Sequence, residues 1–232
     1  MTARRTAFVL LLLPGVVLGF REVVNGSRFQ LFGDAIARLD TNERIVALTF
    51  DDGPHPAYTP RILDILDRRG AKATFFMLGR NVERHPDVVR AVLARGHEIG
   101  NHSYSHPRMI FMSPSRITDE ITRTDRLLRE IGVTGEIGFR PPHLSKLIVL
   151  PYVLRKMGTL SVLADADAEE WRRQPAPVMT KRLLDQVRPG SIVSLHDTAG
   201  DETIKTVDAV LAALVARGYR FETVAELVRR RR

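Results

Sequence analysis

The sequence predicts an α/β chain of parallel strands with outer helices, in the form of a distorted (β/α)7-type barrel, and three observations carry that prediction. Short apolar runs of strand length alternate with amphipathic runs of helix length from Ile45 to Arg230. The strand runs are almost continuously apolar, as expected for strands covered on both faces. Polar clusters follow different strand runs: Asp51-Asp52, His102 with His106, Arg140, Asp167 to Trp171, and His196. A barrel brings every strand end to one rim, whereas an open sheet unites only those near a switch point.

Taken in order, residues 21–43 read as a connector with one short helix over Gly33 to Leu39, and the core starts at Ile45. Thr59-Pro60 opens a helix with Ile62, Leu63 and Leu66 on one face, and Gly70 ends it. Ala73 to Leu78 is a strand. A helix from Pro86 carries Val88, Val89, Val92 and Leu93 to Gly96, and His97 to Gly100 is a short strand. Ser113-Pro114 caps a longer helix through Ile117, Ile121, Thr124, Leu127, Leu128 and Ile131, with Gly132 as its stop. Glu136 to Phe139 is strand-like, Ser145 to Met157 helical despite Pro151, and Thr159 to Ala164 strand-like. Pro177 to Val187 is helical, Ser191 to Leu195 a strand, and Glu202 to Arg217 a helix ended by Gly218. Tyr219 to Thr223 and Val224 to Arg230 supply the last strand and helix.

A length of 232 residues suits one substantial core. The formal charge is +8, but Arg4, Arg5 and the arginines at 229–232 account for six of those charges and leave +2 for everything between. That body lacks the basic footprint of a nucleic-acid binder. Without cysteine, disulfide and thiolate chemistry are excluded, and any metal must be held by nitrogen and oxygen. Arg4-Arg5 precede an apolar run of fourteen residues, Ala7 to Phe20, short for a membrane span. It has the layout of a signal peptide or an uncleaved signal anchor, so residues 1–20 imply an exported chain, membrane-anchored or released into a periplasmic or extracellular space. Residues 229–232 read as a basic tail.

The organising stretch is Thr49 to His55, in which Asp51 and Asp52 stand where a buried strand gives way to a turn. Two adjacent anions there are costly unless a cation or a shared proton compensates. Asn101 to His106 supplies two imidazoles four residues apart. One carboxylate with two histidines can hold a divalent metal and leave positions open for water and substrate, the second carboxylate acting as base. Arg140, before Pro141-Pro142, can pair with whichever aspartate does not bind metal. His196 suits a general acid, with Glu170 or Asp167 holding it charged, and Trp171 with Leu195 can wall an apolar pocket.

These motifs, in this order and spacing, resemble the polysaccharide deacetylases, carbohydrate esterase family four, over about Arg44 to Glu226. The resemblance implies a deacetylase domain over 44–228 and a divalent metal, usually zinc, with cobalt, iron or nickel as other occupants. It implies Asp52, His102 and His106 as ligands, Asp51 as base, Arg140 orienting Asp51, and His196 as acid paired with Glu170. Trp171 and Leu195 would hold the acetyl methyl, and the backbone N–H of His143 would donate to the oxyanion. Two positions depart from the family pattern: Glu170 replaces an aspartate, and His143-Leu144 stand where tyrosine then glycine are common. The positive φ that a glycine there would allow is expensive for Leu144. The expected activity is removal of N-acetyl groups from N-acetylglucosamine-containing glycans. An O-acetyl esterase or amidase on the same scaffold, and a silent glycan-binding module, are the alternatives.

Overall fold

The computed structural model describes residues 32–231, so the apolar run at 7–20 and most of the connector lie outside the described residues. The elements are β1 (Ala35–Ile36), β2 (Ile45–Asp51), α1 (Thr59–Arg68), β3 (Ala73–Met77), α2 (Gly79–Arg84), α3 (Pro86–Ala94), β4 (Glu98–Asn101) and α4 (Pro114–Ile131). There follow α5 (Val149–Met157), β5 (Ser161–Val162), β6 (Ala166–Asp167), α6 (Ala176–Gln186), β7 (Ile192–His196), α7 (Asp201–Ala216), β8 (Arg220–Phe221) and α8 (Val224–Arg230).

Local chemistry accounts for most boundaries. Pro60 sits in the first turn of α1, where its missing N–H has no partner to lose. Ser113 accepts a hydrogen bond from Arg116 N at the start of α4, and Gly132 ends that helix in the left-handed conformation. Thr223 and Glu226 form a reciprocal capping box at α8. Asp201 and Glu202 occupy the first turn of α7, where the helix dipole favours negative charge.

The strands run parallel in the order β4-β3-β2-β7-β6, with β8 beside the start of β2. Phe139 closes the ring by bridging Asn101 on one side and Ser161 on the other. The segment from Ser161 to Asp167 then reaches β7 at Ala166 and Asp167. Along β2 every second side chain points inward: Ile45 and Ala47 join the inner cluster with Phe76, Val162 and Ile192. Val46, Leu48 and Phe50 join the larger cluster under the helices. The same period carries Thr49 and Asp51 to the barrel interior.

Several expectations change here. Gly33 to Leu39 is not helical: Ala35 and Ile36 pair with Ser161 and Val162 as β1, and Arg38 bridges Ser191. Pairing decides this, because Ser161 N donates to Asp34 O (3.0 Å) and Leu163 N to Ile36 O (2.7 Å), bonds that a seven-residue isolated helix cannot match. Ile36 and Leu39 are buried, so the folded region reaches back into the segment read as a connector. The expected strand at Glu136 to Phe139 shrinks to the Phe139 bridges, and the helix expected from Ser145 begins at Val149. α2 and β6 carried no clear signal in the sequence.

Candidate active site

The site lies at the carboxyl ends of the strands. β2 delivers Asp51, which is buried, and Arg140 follows the Phe139 bridge and is fully buried. Arg140 Nη1 donates to Asp51 Oδ1 at 2.8 Å and also bonds the hydroxyl of Thr49. Its other nitrogens reach Val162 O (3.3 Å) and Leu163 O (3.1 Å), and its guanidinium lies 4.2 Å from the Phe76 ring centroid. The guanidinium is therefore immobilised on all sides. Burial pushes the Asp51 carboxyl up, but Arg140, His102 and His196 outweigh it and hold the group below its ordinary value.

Asp52 turns away from the strand direction, with φ of 72°. Its Oδ1 lies 3.3 Å from His106 Nε2 and 3.6 Å from His102 Nε2. One ligand atom from each of the three residues falls within 4.8 Å of the others. Among the described residues Asp52 Oδ1 is buried without a hydrogen-bond partner, which suits a cation ligand. His102 Nδ1 faces the carbonyl oxygen of Arg140 at 2.9 Å, which assigns the proton to Nδ1 and leaves Nε2 as a lone pair. Burial pushes His102 down to about 4 despite Asp51 and Asp52 nearby, so this ring is neutral at pH 7. Nitrogen and carboxylate donors in this grouping fit a divalent ion, and Asn101 stiffens the loop by accepting from Ser103 N (2.7 Å).

Across the pocket, His196 ends β7. Glu170 Oε2 lies 2.7 Å from His196 Nδ1, and Oε1 accepts from His196 N (3.0 Å) and Thr203 Oγ1 (3.2 Å). The longer glutamate therefore reaches the imidazole directly. It does so from a 3-10 turn, Glu170–Arg172, flanked by Glu169 and Arg173 in left-handed conformations. Burial opposes charge on His196, but the hydrogen bond and charge of Glu170, with Asp51 and Asp52 beyond, raise it to about 10. Asp167, the other acid considered as a partner, instead accepts from Glu169 N (2.7 Å).

His143 and Leu144 both adopt left-handed backbone, with φ of 58° and 51°. The expense anticipated for Leu144 is thus incurred, within a turn in which Leu144 N donates to Pro141 O (2.9 Å) and Ser145 N to Pro142 O (3.1 Å). Among the described residues the N–H of His143 makes no hydrogen bond, and its ring packs edge-on against His106 at 4.5 Å between centroids.

Two residues differ from their expected placement. Leu195 does not wall the pocket: it is fully buried in the cluster with Phe50 and Val207, because the period of two along β7 sends Leu195 toward the helices and Ser194 inward. Ser194 Oγ lies 3.4 Å from Asp51 Oδ2, a contact the sequence reading missed and strand alternation counted back from His196 would have found. Trp171 is 72% exposed on the rim, with the Arg172 guanidinium 4.8 Å from its ring centroid, so it is not packed against the site.

The family profile for polysaccharide deacetylase matches residues 38–162. A peptidoglycan-N-acetylglucosamine deacetylase of Bacillus cereus is 36% identical over 81% of this chain and 90% of its own length. The peptidoglycan-N-acetylglucosamine deacetylase PgdA of Listeria monocytogenes is 35% identical over 83% of this chain, which spans 40% of that longer protein. Among solved structures, the Bc1960 peptidoglycan N-acetylglucosamine deacetylase superposes with a TM-score of 0.79 at 30% identity, covering 83% of this chain and 92% of that one. BA3943, a CE4 family pseudoenzyme from Bacillus anthracis, gives the same TM-score of 0.79 at 29% identity, covering 85% and 70%. The backbone alone therefore does not distinguish active from silent members, and the side chains must. With its matched profile, its close relatives and its parallel barrel, this chain belongs to the polysaccharide deacetylase family.

Proposed function

We propose that the protein is a metal-dependent hydrolase that removes N-acetyl groups from N-acetylglucosamine-containing glycans, peptidoglycan or chitooligosaccharide, releasing acetate and a free amine. The observation that carries this reading is the placement of two different proton-handling pairs beside one ligand cluster. Asp51 is held ionised by Arg140 and His196 is held charged by Glu170, a base and an acid in one pocket with Asp52, His102 and His106.

Asp52, His102 and His106 would hold a divalent ion, which when bound would supply Lewis acidity toward the acetamido carbonyl and lower the pKa of a water. Zinc is the first candidate, and cobalt, iron or nickel suit the same donors. Asp51 accepts the proton of the attacking water, and Arg140 keeps its carboxylate oriented. The N–H of His143, without a partner among the described residues, offers a donor to the developing oxyanion. His196 delivers its proton to the departing sugar nitrogen, and Glu170 keeps the ring charged until then. Trp171 provides an apolar face at the rim, and Leu195 belongs to the core rather than to the pocket.

The chain is proposed to act outside the cytoplasm, attached through or processed at its first twenty residues. Among the described residues no helix is long and apolar enough to cross a membrane. Fractionation of the tagged full chain, with and without that run, tests this.

The deciding experiment is acetate release from N-acetylglucosamine oligomers and from peptidoglycan fragments, with added zinc or cobalt and again with chelator. Metal-dependent release supports the reading, and the substrate cleaved identifies its class. Release from O-acetylated glycans alone would replace it with an esterase, and bound metal without any release would favour a silent module.

A further inference from the structure

Asp197 is a buried acid for which the chemistry above has no use. It follows His196, is 1% exposed, and accepts a hydrogen bond from Thr59 Oγ1 through Oδ2, while its Oδ1 has no partner. A carboxyl left half-satisfied in a core lowers stability, and such costs persist where the surrounding function depends on them.

Its neighbour shows what depends on it. A Cβ built on Gly53 would collide with both carboxylate oxygens of Asp197. Gly53 is not among the residues with positive φ, so glycine is needed there for space rather than for conformation. The Asp197 carboxylate thus lies flat against the backbone of the turn that carries Asp51 and Asp52. Thr59 joins the two, since its hydroxyl also accepts from His55 N at 2.8 Å.

The opposite side of the same turn is pinned by Asn81 Nδ2 donating to Asp52 O (2.8 Å) and Leu78 N donating to Gly53 O (2.9 Å). Asp52 itself is in the left-handed region, a conformation that a non-glycine residue keeps only when its surroundings enforce it.

We propose that Asp197 is a positioning residue which, with Thr59, wedges the Gly53 turn and so aims the Asp52 carboxylate at His102 and His106. It touches no substrate and acts through the backbone of the turn. The inference rests on the metal-site reading above.

The test is zinc titration of the chelator-treated full chain, together with its melting temperature in the absence of metal. Asp197→Ala is expected to weaken zinc binding by about tenfold, the usual effect of losing a group that orients a ligand, while the metal-free Tm stays level or rises. Thr59→Val is expected to weaken zinc binding in the same direction. Gly53→Ala should lower the metal-free Tm, and adding Asp197→Ala should restore that Tm without restoring zinc affinity. Wild-type zinc affinity in Asp197→Ala overturns the inference. So does a fall in its metal-free Tm with no mutual rescue between positions 53 and 197, which would make Asp197 an ordinary core group. If the wild-type chain binds no zinc, cobalt, iron or nickel, the reading beneath it falls as well.

Discussion

Arg140 holds Asp51 with its side chain at 2.8 Å and His102 with its backbone carbonyl at 2.9 Å, so a single residue orients both the candidate base and a candidate ligand. The guanidinium is fully buried and so is its carboxylate partner. Removing one member of such a pair leaves the other as an uncompensated charge in the core.

Arg140→Ala is therefore expected to destabilise the protein by about 3–5 kcal/mol. Urea unfolding at pH 7 measures this. Asp51→Asn keeps the shape but leaves the guanidinium uncompensated, so it should also cost stability, and combining it with Arg140→Ala should cost less than the sum of the two.

Asp51→Asn separates binding from chemistry. Zinc affinity should persist, because Asp51 is not in the ligand cluster, while turnover falls by about 10²–10⁴-fold, the usual contribution of a positioned base. His102→Ala should lose zinc binding and turnover together. Calorimetric titration alongside acetate release distinguishes the two outcomes.

The His196–Glu170 pair sets a pH dependence. The folded His196 is raised to about 10 from an ordinary 6.5, so its stabilising contribution is complete below pH 6.5 and is lost as pH rises through about 10. Glu170→Gln should bring the imidazole down toward its ordinary value. The alkaline limb of the activity profile should move to lower pH with it. An NMR titration of the His196 ring reads this without any substrate.

Gly190→Ala should be strongly destabilising. Gly190 has φ of 78°, and a Cβ there would collide with the carbonyl oxygen of Leu39, backbone that cannot swing aside as a side chain could. Left-handed backbone alone costs about 1–2 kcal/mol for a residue other than glycine. Thermal unfolding checks the loss, which also gauges how firmly residues 38–39 are tied to the start of β7.

Local pattern determined a good deal of this protein by itself. Alternating periods, proline and glycine stops and continuous apolar strands are short-range properties, so the order of strands and helices, the parallel barrel and the rim position of the polar clusters were legible. Asp51 could be placed at the end of a buried strand because the apolar run from Ile45 precedes it, while the face it takes, inward with Ile45 and Ala47, emerged only from the packing. Partnerships between distant segments were decided only in three dimensions. Residues 35–36 became a strand because β5 lies beside them, not because of their own propensity. Alternation along β7 already puts Ser194 rather than Leu195 on the face of His196, but its contact with Asp51 depended on the register of β7 against β2. The exposed face of Trp171 and the direct reach of Glu170 to His196 depend on one 3-10 turn whose shape the surrounding elements impose. Sequence spacing specifies which groups reach the rim, because periodicity is carried by neighbouring residues. Their aim is specified by hydrogen bonds and packing across the barrel, as Arg140, 89 residues from Asp51, illustrates.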